Sequence, residues 1–366
     1  MKTFTDLDKY FMKCALTLAE KEKGNTYPNP SVGAVIVKNG KIVGSGATSP
    51  YGGPHAEKKA IQRAGINTEG ATLYVTLEPC HHYGKTPPCT NAIFQSKIQR
   101  IFVAIKDPFP LVNGKGIQYL RRKNIEVSVG LMKNEAFALN EDYFWSVQHQ
   151  IPWVTLKLAL TLDGKLADSN GNSQWITNKK SRNYVHQLRK YHSAVAVGSG
   201  TLVNDNPRLT VRHIKGKSPI RIVFSSDSNV GRNSNFRTSA NEVKSILICN
   251  KGKQGTKEIT SDGLEIWYTG NNSISENLNT FLKMAYKYGL NSILVEGGQK
   301  LATSFLEHKL VNKICFFYGN KILGSGMNCL QLSHPLSMVQ NIILEKIEIT
   351  QFDDNVCISG IPKWTA

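Results

Sequence analysis

One histidine and two cysteines stand at a spacing that suits a metal site. His55 opens the segment HAE, and Cys80 and Cys89 follow in EPCHHYGKTPPC. One imidazole and two thiolates suit tetrahedral zinc, and three protein ligands leave the fourth position to water. Zinc lowers the pKa of such a water towards neutrality. The set therefore predicts a catalytic zinc site rather than a closed structural one.

Glu57, two residues after His55, is the candidate proton carrier. A zinc hydrolase needs a proton acceptor that stands beside the metal without binding it. The order H-x-E and then P-C-x-x-C, with a non-ligating Glu, marks zinc-dependent nucleobase deaminases. Here eight residues separate Cys80 from Cys89. The alternatives are a structural zinc, or a histidine at a helix start with two incidental cysteines.

Alternating helices and strands must position these residues. An amphipathic helix comes first, and a hairpin follows around Asn39-Gly40. Helix, strand, loop, helix, strand, helix and strand then run to about residue 130, which predicts an α/β domain with helices covering a sheet. The stretch 133–150 reads as one further helix. The expected first domain is 1–147.

Pro152 ends that helix, and an apolar strand pattern begins after it. A second α/β domain, 148–366, is therefore expected. Its predicted elements are a helix at 178–190, strands at 193–198, 219–224 and 244–249, a helix at 275–288, a strand at 292–296, a helix at 300–308 and a strand at 313–318.

The charge balance narrows the class of partner. Lysine and arginine number 45 against 27 acidic residues, a formal net charge of +18 over 366 residues. Such an excess favours anionic partners, either nucleic acid or phosphorylated small molecules, although a lysine-rich solvated surface also accounts for it. No stretch approaches the about 20 apolar residues of a membrane span, and the N-terminus lacks a signal-peptide pattern. We expect a cytoplasmic protein with no membrane partner and no disulfide framework; the oligomeric state, a homo-oligomer included, stays open.

Three features of the second half suggest a nucleotide cofactor. Glu296 ends a strand and a Gly-Gly turn leads into a helix, whose N-terminal amides suit a phosphate, or form an ordinary strand–turn–helix junction. The segment VGSGTLVNDNPRLTVR carries Arg208 and Arg212, and it suits phosphate binding or a solvated loop equally. Lys157 sits within an apolar strand, where an unpaired ammonium is costly. No G-x-G-x-x-G motif is present.

At this point the sequence resembles a known family. The segments PNPSVGAVIVKNGKIVGSGA, GGPHAEKKAI, TLYVTLEPCHHYGKTPPCT and LTLDGKLADSNGNSQWIT look like the bifunctional deaminase–reductase of riboflavin biosynthesis. The resemblance covers nearly the whole chain. It implies a cytidine-deaminase-like α/β/α domain followed by a dihydrofolate-reductase-like α/β domain. The implied chemistry is zinc-dependent deamination of a diamino-ribosylamino-pyrimidinone phosphate, then reduction of its ribose to a ribityl chain with NADPH.

The resemblance also implies residue roles. Asn29 and Asp107 would hold the pyrimidine and ribose, with His82 and Lys85 near the phosphate. The NADPH site would be lined by Ala159, Trp175, Thr201, Asp205, Ser226, Gly298, Gln299, Lys300, Leu301, Ala302, Thr303 and Ser304. The reductase substrate would be bound by Ser173, Arg189, Leu209, Arg212 and Glu296. Lys157 would lie close to the sugar carbon that receives hydride, as a hypothetical proton donor.

Two positions depart from the family pattern. Thr48 stands where a histidine is common, and Phe109 stands where an asparagine is common. Both neighbour the expected pyrimidine pocket, so they bear on substrate contacts rather than on the zinc chemistry.

Two other function classes compete with this interpretation. One is a zinc deaminase acting on tRNA or single-stranded DNA, for which the charge of +18 would be the electrostatic footprint. The Cys80–Cys89 spacing and the lack of an RNA-binding motif count against it. The other is a non-enzymatic zinc-stabilised module with a nucleotide sensor, in which replacement of Glu57 would be silent.

Overall fold

A computed structural model describes residues 4–84, 87–270 and 272–365. The chain divides into two compact units, Met1–Gln150 and Ile151–Ala366. The division falls close to the domain boundary expected after residue 147. None of the helices in the described ranges combines the length and the apolar character that a membrane span needs.

The first unit contains a five-stranded sheet. Its strands are β1 (Gly33–Lys38), β2 (Lys41–Ala47), β3 (Thr72–Val75), β4 (Arg100–Val103) and β5 (Glu126–Val129). The spatial order is β2-β1-β3-β4-β5. β1 pairs antiparallel with β2 and β3, whereas β3, β4 and β5 are parallel. Parallel strands end at the same edge, so the loops after β3 and β4 lie together.

The predicted hairpin between β1 and β2 is confirmed. Lys38 pairs with Lys41, and the two residues between them have positive φ, 51° at Asn39 and 73° at Gly40. Positive φ at both central positions is what a two-residue hairpin turn with the right-handed strand twist requires. Asn and Gly are the residues that tolerate this backbone best.

Helices cover the first sheet. They are α1 (Asp6–Glu22), α2 (Ala56–Ala64), α3 (Cys89–Gln95), α4 (Lys115–Arg122), α5 (Lys133–Leu139) and α6 (Glu141–His149). α1 begins at a capping box between Thr5 and Asp8, and it buries its apolar face against the sheet core. A 3₁₀ turn, Gly65–Thr68, follows α2.

The prediction of one continuous helix over 133–150 is wrong. α5 and α6 are separated at Asn140, which has φ −125° and is buried. Its side-chain oxygen accepts from the Ser31 backbone N–H at 2.8 Å, and its amide donates to the Ser31 carbonyl at 2.9 Å. The Asn140 side chain therefore forms its hydrogen bonds with a loop that is distant in sequence. The helical periodicity of the segment does not predict these bonds.

The second unit is built on a ten-stranded sheet. The second-unit strands are β6 (Trp153–Leu160), β7 (Lys165–Ala167), β8 (Ala194–Gly198), β9 (Ile220–Ser225), β10 (Ser245–Cys249), β11 (Lys257–Ile259), β12 (Glu265–Tyr268), β13 (Ser292–Val295), β14 (Lys313–Tyr318), β15 (Met327–Asn328), β16 (Ile342–Phe352) and β17 (Asn355–Trp364). The order is β11-β12-β10-β9-β8-β13-β6-β14-β17-β16, and β7 pairs separately with β15. The seven strands from β12 to β14 in this order are parallel to one another, whereas β11 and β17 pair antiparallel at the two ends of the run. Their side chains are largely buried, as expected of a sheet covered on both faces.

The second-unit helices are α7 (Lys179–Tyr191), α8 (Ser199–Asp205), α9 (Asn235–Thr238), α10 (Ile274–Tyr288) and α11 (Gln299–Glu307). Every predicted helix and strand of this unit is found, with its ends within one residue. The segment after β8, read as a polar loop, is the short helix α8 instead. Its Ser-Gly start and single buried residue, Leu202, leave too little periodicity to identify a helix of seven residues.

Candidate active sites

The metal-ligand set predicted from sequence comes together in the first unit. The ligand atoms of His55, Cys80 and Cys89 all lie within 4.8 Å of one another. His55 Nδ1 is 3.6 Å from Cys80 Sγ and 3.3 Å from Cys89 Sγ. His55 caps α2, Cys80 lies in the loop after β3, and Cys89 is the first residue of α3.

The loop between the two cysteines closes at its base. The backbone N–H of Cys89 donates to Cys80 Sγ at 3.3 Å, and the Thr90 N–H donates to the Cys80 carbonyl at 3.2 Å. The chain thus leaves the site at Cys80 and returns to it at Cys89. Eight residues separate the two cysteines in sequence.

The three side chains fit a zinc ion. Zn–N of about 2.0 Å and Zn–S of about 2.3 Å at a tetrahedral angle place nitrogen and sulfur about 3.6 Å apart, close to both observed separations. A hydrogen bond from Cys89, assisted by His55, lowers the pKa of Cys80 to about 4. The hydrogen bond to Cys80 and burial raise the pKa of Cys89. The pair therefore holds one thiolate ready, and metal binding must displace the proton of the other.

Glu57 lies beside this set without belonging to it. It is the second residue of α2 and its side chain is 4% exposed. Burial, followed by the negative charge of Cys80, raises the pKa of Glu57 to about 7. A carboxyl with such a pKa can both accept and return a proton near neutral pH.

Glu78 was not identified from sequence as a functional residue. Its buried carboxylate accepts backbone N–H bonds from Gly114 at 2.8 Å, Ile117 at 3.2 Å and Asp107 at 3.4 Å. It therefore ties the Cys80 segment to the segment after β4. The only sequence feature that could have indicated a role for Glu78 is its position directly before Pro79-Cys80.

Asp107 lies in that tied segment, where it is buried. It accepts from the Phe109 N–H at 2.8 Å and from the Tyr143 hydroxyl at 2.9 Å. Burial raises the pKa of Asp107 to about 6. Asn29 is partly buried at the loop before β1.

Thr48 and Phe109, the two residues that depart from the family pattern, lie in different structural environments. The buried Thr48 hydroxyl accepts a hydrogen bond from the Val32 backbone N–H at 3.1 Å, so this side chain stabilises the local backbone. The Phe109 ring lies 5.9 Å from the His82 ring, centroid to centroid. His82 Nδ1 is buried with no hydrogen-bond partner among the described residues. Lys85, expected near the phosphate, lies outside the described residues.

The second unit contains a cavity of about 1030 Å³. It opens at the carboxyl ends of β6, β8 and β13, between α7 and the N-terminus of α11. Gly297 and Gly298 form the turn into α11 with φ of 103° and 75°. A Cβ on Gly298 would stand 3.1 Å from Thr201 Oγ1, so both the φ and the close approach require glycine there.

An ion pair and a lysine form the polar side of this cavity. Arg189 donates to both carboxylate oxygens of Glu296, at 2.5 and 2.8 Å, and to the Thr210 carbonyl at 3.1 Å. Burial opposes ionisation of Glu296, but the charge of Arg189 holds its pKa below the ordinary value. Lys157 Nζ lies 5.7 Å from the Phe317 ring centroid, and burial lowers its pKa.

Most of the residues expected in the reductase half line this one cavity. The lining includes Lys157, Ala159, Ser173, Trp175, Arg189, Thr201, Asp205, Leu209, Arg212, Glu296, Gly298, Gln299, Lys300, Leu301 and Ser304. Ser226 is exposed at the end of β9 and is not part of the lining. Ala302 and Thr303 are buried and lie outside it, because a run of consecutive helical residues cannot face one side.

The lining residues that were missed include His186 and Arg182. His186 stands three positions before Arg189 on α7, and Arg182 lies with its guanidinium carbon 4.3 Å from the Trp175 ring centroid. Helical spacing from Arg189 places both on one face. That spacing was the signal that could have found them.

Comparison with known proteins decides between the function classes. Residues 152–358 match the RibD C-terminal domain, and residues 5–105 match the cytidine and deoxycytidylate deaminase zinc-binding region. A riboflavin biosynthesis protein RibD of Aquifex aeolicus is 44% identical over 324 residues, covering 88% of this chain and 90% of the relative. The chain belongs to the RibD family. The RibD of Bacillus amyloliquefaciens is 37% identical, covering 98% of this chain and 97% of its own.

Solved RibD structures agree with this assignment. A diaminohydroxyphosphoribosylaminopyrimidine deaminase/5-amino-6-(5-phosphoribosylamino)uracil reductase of Thermotoga maritima matches with a TM-score of 0.85 at 35% identity, over 98% of this chain and 99% of that one. The RibD of Acinetobacter baumannii matches with a TM-score of 0.88 at 31% identity, over 98% and 99% of the two chains. The expected fold class, a cytidine-deaminase-like α/β unit followed by a reductase α/β unit, is confirmed.

The RibD assignment also settles the enzyme class. The chain is a bifunctional enzyme of riboflavin biosynthesis, with a zinc-dependent deaminase unit and an NADPH-dependent reductase unit. A deaminase acting on nucleic acid is the less supported alternative, because the second half matches the reductase domain.

Loss of one thiolate is expected to remove the metal. Cys80→Ser should lower zinc affinity by more than about a hundredfold, since even the hydrogen-bond partners of metal ligands are worth about 10- to 100-fold. Zinc content after dialysis, measured by inductively coupled plasma mass spectrometry, checks this. Cys329→Ser, a partly buried thiol of the other unit, is the matched control. Equal zinc in both variants would contradict the ligand set.

Proposed function

We propose that residues 1–147 deaminate 2,5-diamino-6-ribosylamino-4-pyrimidinone 5′-phosphate and that residues 148–366 then reduce its ribosyl group to ribityl. The observation that carries the proposal is one chain holding the His55–Cys80–Cys89 set beside buried Glu57, and a separate cavity with Lys157 beside the Arg189–Glu296 pair. The name of the Thermotoga maritima structure supports the substrate class.

In the proposed deaminase site, His55 Nδ1 and the two sulfurs would hold zinc, which would supply Lewis-acid activation of a water molecule at neutral pH. Glu57 would accept a proton from the attacking water and return it to the departing amino group. The C–N bond breaks, a C=O bond replaces it, and ammonia leaves. Burial keeps the Glu57 proton exchangeable near pH 7.

The neighbouring loops hold the substrate in this proposal. Asn29 and Asp107 bind the pyrimidine and ribose, and Glu78 acts on them indirectly by fixing the segment that carries Asp107. We assign binding of the phosphate to His82 and Lys85. His82 Nδ1, which has no hydrogen-bond partner among the residues that the structure describes, supports a ligand contact there, because a buried ring nitrogen without a partner is costly.

In the proposed reductase site, the turn into α11 and the α8 segment bind NADPH, which supplies the hydride. The cofactor set proposed from the lining is Ala159, Trp175, Thr201, Asp205, Gly298, Gln299, Lys300, Leu301 and Ser304. The substrate set is Ser173, Arg189, Leu209, Arg212 and Glu296. Lys157 donates the proton that the sugar heteroatom needs when its carbon is reduced. Burial lowers the pKa of Lys157, so its ammonium gives up a proton more readily than that of an exposed lysine.

A mass spectrum of the product pool tests the function. The zinc-loaded chain is incubated with the diamino-ribosylamino-pyrimidinone phosphate, with and without NADPH. We expect the amino-to-oxygen change alone without NADPH, and that change plus two hydrogens with it. Unchanged substrate in the presence of bound zinc would reject the proposed substrate.

The proposal also covers the cellular location of the enzyme and the class of its partner. We place it in the cytoplasm, where NADPH is available, with a phosphorylated small molecule rather than nucleic acid as the partner of its excess positive charge. Retention on poly-U with a steep salt dependence, together with deamination of RNA, would favour the alternative.

A further inference from the structure

His81, the residue after Cys80, makes two contacts that the proposed chemistry does not use. Its side chain is partly buried. The first contact is a hydrogen bond between His81 Nδ1 and the Thr90 hydroxyl oxygen, at 2.9 Å. Thr90 follows Cys89 and is fully buried. One side-chain hydrogen bond therefore joins the residues that directly follow the two cysteines.

The second contact of His81 is with α4. Its ring stacks on the Tyr119 ring, with centroids 4.3 Å apart and planes inclined at 29°. Lys123, one turn further along α4, has its Nζ 5.8 Å from the Tyr119 ring centroid and 5.0 Å from that of Phe94. Phe94 belongs to α3, the helix that begins at Cys89. The His81 side chain is thus in contact with both helices, where further side chains of α3 and α4 also meet.

α4 also contacts the residues that precede His81. The Glu78 carboxylate accepts a hydrogen bond from the Ile117 N–H at 3.2 Å. A Cβ on Gly116 would collide with the Pro79 carbonyl oxygen, so the two segments are in direct contact there. Residues 78–81, which include the first cysteine of the metal-ligand set, therefore lie along the first turns of α4. The second cysteine belongs to α3.

We propose that His81 is a positioning residue: through its two contacts it holds Cys80 and Cys89 at the separation that zinc requires. His81 is not one of the clustered ligand atoms, so it acts on the ligands and not on the metal. A site whose groups are already in place binds more tightly, because less conformational freedom is lost on binding. Groups that orient metal ligands are worth about 10- to 100-fold in metal affinity.

Competition for zinc between the full-length chain and a colorimetric chelator tests the proposal. His81→Phe keeps a ring that can stack on Tyr119 but cannot bond to Thr90, and we expect its zinc affinity to fall about tenfold. Thr90→Val removes the hydroxyl at nearly constant volume and should lower the affinity equally. The double variant should bind zinc no more weakly than either single variant, because both changes remove the same bond. His81→Asn, which keeps a hydrogen-bonding atom near the Nδ1 position, should recover part of the loss.

The matched control is His149→Phe. His149 lies on α6 of the same unit and stacks on Trp145, with ring centroids 3.6 Å apart. Its Nδ1 is 3.0 Å from the Trp145 carbonyl oxygen. The control change therefore keeps a comparable stack and removes a comparable contact of the imidazole, away from the metal-ligand set. Its zinc affinity should equal that of the unaltered chain.

Absorption spectra of the chain loaded with Co²⁺ in place of zinc give a readout that a general loss of stability would not change. The visible bands of tetrahedral Co²⁺ depend on the positions of its ligands. We expect His81→Phe and Thr90→Val to shift these bands alike, and His81→Asn to bring them back towards those of the unaltered chain. Thr90→Val decides the question even if His81→Phe does not fold.

Three results would each overturn the proposal: unchanged zinc affinity in Thr90→Val, additive losses in the double variant, or Co²⁺ bands that do not shift. Neither measurement uses the pyrimidine substrate. A failure of the proposed function would therefore leave these results unaffected, and the two outcomes are distinguishable.

Discussion

A chain carrying Glu57→Gln is expected to bind zinc normally and to deaminate about a thousandfold more slowly. The amide has the size of the carboxylate, so α2 and the His55 position should be kept. It cannot accept and return a proton, and a positioned acid–base group contributes about 10²- to 10⁴-fold to a rate. Initial rates of ammonia release, together with zinc content, measure the effect.

The control for this change is Glu69→Gln. Glu69 pairs with Lys97 on the surface of the same unit, at 3.0 Å with both side chains exposed, and such pairs contribute little. Its deamination rate should match that of the unaltered chain. A Glu57→Gln chain that releases ammonia at the normal rate would reject Glu57 as the proton carrier.

Lys157→Met is expected to abolish reduction while leaving deamination unchanged. Methionine fills much of the same volume in β6 but has no proton to donate, so kcat for reduction should fall by about 10²- to 10⁴-fold. NADPH oxidation, followed by absorbance with the deaminated substrate, gives kcat and KM. Ammonia release from the same preparation reports the first step.

Two further variants sharpen this test. Lys180→Met removes a surface ion pair with Asp353 in the same unit and should leave both rates intact. Lys157→Arg keeps the positive charge but gives up its proton far less readily. Its kcat should stay low even if substrate binding is kept. Normal reduction by Lys157→Met would reject the role of Lys157 as proton donor.

Much of the fold could be predicted from short sequence patterns, because turns and apolar strands depend mainly on residues that are close together in sequence. The Asn39-Gly40 turn follows from the φ values that only a few residues tolerate. The zinc set was predicted from residue types and order alone, because His, Cys and Cys are few and their chemistry is specific. Six of the seven parallel strands of the second unit were recognised from their apolar runs, and β12 (Glu265–Tyr268) was not.

Interactions between distant segments were not predicted. The Asn140–Ser31 bonds that separate α5 from α6, and the Glu78 bonds that fix the segment of Asp107, join residues far apart in sequence. The strands β16 and β17, which extend the sheet beyond β14, were not predicted; most residues of β16 are exposed. The helical spacing from Arg189 could have identified His186 as a cavity residue, but the contact of its ring with the His213 ring, on another segment, could not be predicted.

The loop between Cys80 and Cys89 begins and ends at the metal-ligand set, so both of its ends are fixed at the same place. Because both ends are anchored by the same metal set and by the Thr90–Cys80 backbone bond, residues can be inserted or deleted between them without moving the ligands. Recognition and chemistry can then evolve separately at this site. Exchange of residues 81–88 between related deaminases is therefore expected to change the phosphate contacts proposed for His82 and Lys85 while keeping the zinc ligands.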